Sequence, residues 1–244
     1  MKVCFVTHAS NLTGANQSLL DILSGISRYQ VEPHVLLKQH GPIEQELKKR
    51  EIPYRIIPYP HEMSGSPLKN VLKRLYYALV LPVIKHYFSQ QKFELIHNNS
   101  FLVGVGMEVA YRLGIPYICH NRDMVWEDHR IRLLHNDRQL FLLKHAAAAI
   151  EISDFVYQKY HHLVPDANYY VLRDGISIEK YWHPHNEIMR SEGIDLMIAG
   201  RLCRGKGQLE AIKALEILQK KGYDSFSLTV VGGVGEEDYD QQLR

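Results

Sequence analysis

Short runs rich in β-branched and aromatic residues alternate along the chain with longer stretches whose apolar positions recur every three or four residues. Lys2 to Thr7 opens with apolar residues and stops at the polar loop His8 to Asn16, which predicts a parallel strand leading into a helix that carries Leu19, Leu20, Ile22, Leu23 and Ile26. His34 to Lys38 predicts a second strand, Ile43 to Arg50 a charged surface helix and Tyr54 to Ile57 a third strand, with Gly and Pro between them. Further on, Glu94 to Ser100, Tyr117 to Asp123, Ala146 to Ile152 and Tyr169 to Leu172 read as strands. Gly104 to Leu113 reads as a helix closed by Gly114 and Pro116, and Ser153-Asp154 as a helix N-cap. This alternation predicts an α/β fold with a parallel sheet. Ser177 to Gly193 contains Pro184 and has no period, so it marks a hinge. Beyond it, Ile194 to Ala199 reads as a buried strand, Gln208 to Lys221 as a helix and Phe226 to Val231 as a strand. The expected organisation is a first sheet domain over residues 1–176, a linker over 177–193 and part of a second domain over 194–244, the two sheets sharing no hydrogen bonds.

Residues 68–92 differ in character. Leu68 to Phe88 combines leucine, valine and tyrosine with Lys69, Lys73, Arg74 and Lys85, and holds no acid. Such a segment suits an anionic membrane surface. It equally suits a long helix packed on the sheet with solvated lysines. Pro82 is expected to kink or divide it.

Composition narrows the class. At 244 residues and 45% hydrophobic content the chain can build a proper core as one large or two modest domains. Lys+Arg 29 against Asp+Glu 27 gives +2, which argues against a nucleic-acid partner. Cys4, Cys119 and Cys203 match no zinc spacing and point to a reduced cytoplasm rather than a disulfide framework. No stretch reaches transmembrane length, and a soluble cytoplasmic enzyme or ligand binder is expected.

The candidate chemistry centres on Gly200-Arg201-Leu202-Cys203-Arg204-Gly205-Lys206-Gly207, between the strand and the helix beyond the hinge. Glycines admit a ligand close to the backbone, and the helix N-terminus adds unpaired amides and positive dipole, so a phosphate or diphosphate is the expected ligand. The spacing nearly spells a P-loop, but Gly207 stands where the magnesium-binding hydroxyl belongs. A solvated basic turn is the plain alternative. Asp238-Tyr239-Asp240 spells a D-x-D after a second glycine loop, and reads as a helix start in which acids meet the dipole rather than as a metal site.

Gly200 to Gly207 resembles the "G-R-L-x-x-x-K-G" stretch of GT-B glycosyltransferases, glycosyltransferase family 4 in particular. Three further stretches resemble that family. The loop at Gly14, with Ala15 as its second position, is similar to a "G-G" loop that meets donor phosphate or acceptor. His120-Asn121-Arg122-Asp123 is similar to "H-x-R-E" at the transfer centre, with Asp123 for Glu. Arg173-Asp174-Gly175-Ile176 is similar to "N-G-I-D", with Asp174 for Asn, and Gly175 is expected to take a positive-φ turn.

The resemblance implies a GT-B fold of two Rossmann-like domains and a retaining transfer of a hexose from a nucleoside diphosphate sugar to a saccharide or lipid-linked hydroxyl acceptor. The expected setting is polysaccharide or glycolipid synthesis, with peripheral contact at the inner face of the membrane through residues 68–92. It makes His120 the residue beside the reacting sugar and places Gly14, Arg122, Arg201 and Lys206 in the substrate-binding set, which Asn98 joins as a polar residue closing a strand at the same ligand-facing edge. Neither cofactor nor metal is expected. A lone histidine at a strand end also serves as a structural hydrogen-bonder. Trp126, His129 and Arg130 continue the segment without an assigned role. The family's pair of glutamates, and the helix that crosses back to its first domain, would lie beyond Arg244. The chain is therefore expected to be an inactive fragment of a longer enzyme. A nucleotide-sugar epimerase of the same architecture and a non-catalytic nucleotide-binding module stay open beside the transferase.

Overall fold

The computed structural model describes residues 1–61, 63, 65–129, 131–176, 178, 182 and 193–243, with backbone alone at 128 and 129. The chain divides into two compact units, Met1–Tyr181 and Trp182–Arg244. The hinge over 177–193 falls almost wholly outside the described residues.

The first unit is built on a seven-stranded sheet. Its elements run β1 (Lys2–Thr7), α1 (Gly14–Ile26), β2 (Glu32–Leu37), α2 (Ile43–Lys49), β3 (Tyr54–Ile56), α3 (Pro67–Gln91) and β4 (Leu95–Asn98). Then follow α4 (Gly104–Leu113), β5 (Tyr117–Asn121), α5 (Val125–His129), α6 (Asn136–Lys144), β6 (Ala148–Glu151), α7 (Asp154–Leu163) and β7 (Tyr169–Val171). The strand order is β3-β2-β1-β4-β5-β6-β7, and every pair is parallel. Alternate side chains of the strands feed two cores. Val3, Phe5, Val35 and Leu37 pack with Leu19, Leu20 and Leu23 of α1 and with Leu47 of α2. Cys4, Val6, Leu36, Ile96 and Cys119 point the other way, onto Ile84 and Phe88 of α3, Met107 and Val109 of α4, and Leu142 and Leu143 of α6. Each fully buried side chain of this size contributes roughly 1.5–3 kcal/mol.

Three local expectations are corrected in this unit. Pro82 does not divide α3, which runs unbroken for 25 residues. Pro82 lies on the exposed side, as does Ala78 four residues earlier, so water can satisfy the carbonyl that lost its donor. Gly175 lacks the left-handed φ, which among the glycines falls to Gly114, Gly207 and Gly222. Helix α1 starts at Gly14 rather than after the loop. Helices α5 and α6 have no counterpart in the sequence reading. The Ser153 cap is present, its hydroxyl accepting from the Val156 amide at 3.2 Å.

The second unit holds β8 (Ile194–Ala199) and β9 (Phe226–Val231), paired parallel in a separate two-stranded sheet. Helices α8 (Gln208–Lys220) and α9 (Glu237–Leu243) accompany them. The expected burial of β8 does not hold: Met197 is 71% exposed and Ile194 64%. Among the described residues, two strands and two helices leave apolar faces of this sheet uncovered. The deeply buried side chains Cys203, Gln208 and Tyr239 gather instead at the loop.

Candidate functional site

Strand order reverses between β1 and β4, so the loops leaving these strands diverge and open a crevice at the carboxyl edge, the place where open α/β sheets take ligands. The β1 loop is folded by Asn16. Its Oδ1 accepts from Thr7 Oγ1 at 2.6 Å, while its amide donates to the carbonyls of Ala9 at 3.0 Å and Asn11 at 2.7 Å. This sets Gly14 at the exposed start of α1, with open space where a Cβ would stand. Across the crevice Asn99, the residue after β4, donates to Ala15 O at 3.0 Å and accepts from Arg122 Nε at 2.8 Å.

Arg122 is the hub of the edge. Its Nη1 meets both carboxylate oxygens of Asp174 at 2.7 Å, and Asp174 also accepts from Ser18 of α1 at 2.7 Å. The side chain of Arg122 is 3% exposed. A buried guanidinium needs such partners, because an uncompensated charge in the interior is costly. One arginine thus ties together α1, the β4 loop, β5 and the chain after β7. Asp174, where the stretch it resembles carries Asn, supplies the countercharge.

His120 lies beside it. Its Nδ1 stands 3.3 Å from His97 Nε2 and 3.4 Å from Arg122 Nη2. A guanidinium only donates, so Nδ1 is the acceptor and the proton sits on Nε2. That Nε2 is buried and has no partner. Burial first, then Arg122 and His97, push the His120 pKa down to about 2. Burial and Arg122 likewise push His97 down to about 3. Both imidazoles are neutral at ordinary pH. His120 therefore presents an N–H donor at Nε2 rather than a proton acceptor.

The structure brings Gly14, His120 and Arg122 to one edge, but it turns Asn98 to the opposite face. Asn98 is fully buried, donates to Ile118 O at 3.3 Å, and its Oδ1 faces the glycine of α4 at Gly106, where a Cβ would come within 2.2 Å. Asn99 takes the place in the network that the sequence reading gave to Asn98. His97, Asn99, Asp174 and Ser18 were all missed as parts of this edge. The polar cluster closing β4 and the Asn-to-Asp departure at 174 were the available signals. On the face shared with Asn98, the buried carboxyl of Glu151 accepts from Asn121 Nδ2 at 2.6 Å while its other oxygen has no partner. Burial raises its pKa to about 7 against the smaller lowering by Asn121. Trp126 lies under the Arg132 guanidinium at 5.8 Å, and Arg130 falls outside the described residues.

In the second unit the loop after β8 is clamped by the glycine loop after β9. Leu202 N donates to Gly233 O at 2.9 Å, and Leu202 O accepts from Gly235 N at 3.0 Å and Glu236 N at 3.1 Å. The approach requires glycine: a Cβ on Gly232 would lie 1.8 Å from Gly200 O, and one on Gly235 would lie 2.6 Å from Arg201 Cγ. Gly207 takes φ 75° to start α8, and Gln208, fully buried, donates to Arg201 O at 3.0 Å. Tyr239 of α9 accepts from the Leu209 amide at 2.9 Å, so part of the helix N-terminus is already occupied. Arg204 is paired with Glu236 at 2.6 Å and Asp238 at 2.5 Å. The first acid of the D-x-D is thus engaged in holding the loop, at the start of α9. Arg201 and Lys206 are exposed and have no ion-pair partner among the described residues. Both side chains stand exposed on the clamped glycine loop.

No protein-family model matches the sequence, and no curated protein matches it. Solved structures do. That of Anabaena HepE in complex with UDP matches with TM-score 0.74 at 20% identity, covering 100% of this chain and 64% of that one. The same protein with UDP-glucose gives 0.73. A glycosyltransferase from Rickettsia africae gives 0.66 at 14% identity, covering 99% of this chain and 63% of that one. The lipopolysaccharide outer core galactosyltransferase WaaB gives 0.63 at 14%, covering 100% and 65%. These likenesses establish the fold as the GT-B type expected from the motifs. The chain spans 64% of the HepE chain.

Proposed function

We propose that this chain forms part of a glycosyltransferase that moves a sugar from a nucleoside diphosphate sugar to a hydroxyl acceptor, by retaining chemistry of the family 4 kind. Its setting in this reading is cell-surface polysaccharide or glycolipid synthesis in the cytoplasm, with a saccharide or lipid-linked acceptor. The observation that carries the reading is the clamped glycine loop whose two cations, Arg201 and Lys206, have no protein partner among the described residues. As the sugar departs, the diphosphate gains charge, and fixed cations at a helix start stabilise that charge more than the ground state. The Nε2–H of His120, neutral and unpartnered, would donate to a sugar oxygen while Arg122 and His97 fix its tautomer. The complexes of HepE with UDP and with UDP-glucose support a donor of this class.

An acceptor-dependent assay of nucleoside diphosphate release tests it, using a longer protein that carries this chain. His120→Ala is expected to lower turnover by about 100-fold or more, as loss of one preorganised donor does. Donor that is epimerised, with no acceptor-dependent release, would contradict the reading.

A further inference from the structure

Helix α3 has two apolar faces. Val80, Leu81, Ile84 and Phe88 pack into the core of the first unit. A second stripe, Leu68, Val71, Leu72, Leu75, Leu79 and Val83, faces outward, with Leu68 70% exposed and Leu79 73%. At about 100° per residue these six fall within an arc of roughly 120°, on the side of the helix opposite the core, over a length of about 22 Å. Monomeric proteins rarely leave so continuous an apolar strip in water. Its borders are cationic. Lys69 flanks it on one side, Arg74 and Lys85 on the other, all exposed and without an ion-pair partner among the described residues. The 25-residue helix contains no acid. No helix among the described residues is long and apolar enough to cross a membrane, so a lipid-seeking face would have to lie on the surface.

The position along the helix adds a direction. Helix α3 follows β3 and precedes the parallel β4, so its first turns lie towards the carboxyl edge and its last turns towards the amino edge. The outward stripe occupies the turns towards the carboxyl edge, which also carries His120 and Arg122.

We propose that residues 68–83 form a docking surface for an anionic phospholipid bilayer. The leucines enter the boundary between headgroups and acyl chains, Lys69, Arg74 and Lys85 meet lipid phosphates, and the carboxyl edge of the sheet is brought close to the headgroups. Apolar burial and charge act together on such a surface, and neither suffices alone. The inference does not depend on the transfer reaction, and its test needs no sugar donor.

Co-sedimentation of the 244-residue chain with phosphatidylcholine vesicles, with and without phosphatidylglycerol, decides it. Binding is expected only to the anionic vesicles, and weaker at high salt. Lys69→Gln, Arg74→Gln and Lys85→Gln together should weaken it on the order of 100-fold, the product of three surface charge contacts. Leu75→Glu with Leu79→Glu should abolish it, and both positions are exposed enough for the melting curve to stay in place. A Leu79→Trp chain should show blue-shifted emission with anionic vesicles. Absence of vesicle binding overturns the proposal, as does equal binding to neutral and anionic vesicles. Concentration-dependent dimers lost in the Leu75→Glu, Leu79→Glu chain, without vesicle binding, would give the face to a second copy. Loss of binding in a longer protein carrying this chain would give it to the added segment.

Discussion

Single residues decide how the carboxyl edge is wired, and Arg122 decides most. Its charge is buried against a half-exposed carboxylate, so removing Asp174 leaves the cation stranded. Asp174→Ala is expected to cost on the order of 3 kcal/mol in denaturant unfolding. Asp174→Asn, which keeps an acceptor but loses the countercharge, should cost nearly as much, and a loss close to zero would remove the electrostatic explanation. Glu151 provides a pH signature. Its pKa is raised to about 7 in the fold by burial, against about 4.3 for an unperturbed glutamate. The folded state therefore holds a proton that the unfolded chain has released, and this group's contribution to stability falls as pH rises from about 4.3 to 7. Glu151→Gln should gain stability relative to wild type across that window, by up to about 3 kcal/mol at pH 8. His97 works the other way. Its pKa is lowered by burial and Arg122, so the folded state refuses a proton that the unfolded chain binds, and stability is lost as pH drops below about 6.5. His97→Gln should flatten that acid limb, and urea titrations at several pH values check both slopes. His120 and Arg122 were legible from their motif. Asn98 and Asn99 were not separable, because neighbouring residues at a strand end point to opposite faces and the period alone does not say which faces the crevice.

At the scale of elements, most strands and the capped helices could be read from apolar runs, Gly and Pro punctuation and the Ser153 cap. What escaped were α5 and α6, short helices whose polar content leaves little apolar period. The outcome at Pro82 also escaped, since it depends on which side of α3 faces water. The burial of β8 was misread because an apolar run reports what a strand could bury, whereas its neighbours decide what is covered. The glycine loop after β9 has the clearest consequence. Gly232→Ala would drive a Cβ into Gly200 O, forcing the two strand exits apart. Hydrogen exchange should then speed up at β8 and β9 and stay unchanged in the seven-stranded sheet. Arg204→Ala, which releases Glu236 and Asp238, should loosen the same loop more mildly. Unchanged exchange in Gly232→Ala would mean that the two loops are not held together.

At the scale of the whole molecule, the two units differ in how their cores are built. The first buries two apolar layers on either side of its sheet. The second concentrates its packing at the loop that presents Arg201 and Lys206. In the proposed transfer this loop receives the diphosphate of the sugar nucleotide. Equilibrium titration of the chain with uridine diphosphate and with several nucleoside diphosphate sugars, alongside Lys206→Ala, Arg201→Ala and Lys221→Ala, tests this role of the loop. Weak binding is expected, dropping by roughly 10- to 100-fold in each of the first two variants, the equivalent of a charge-assisted contact of about 1.5–3 kcal/mol. Lys221, at the far end of α8, should make no difference. Micromolar binding that is unchanged by Lys206→Ala would place the nucleotide elsewhere on the chain.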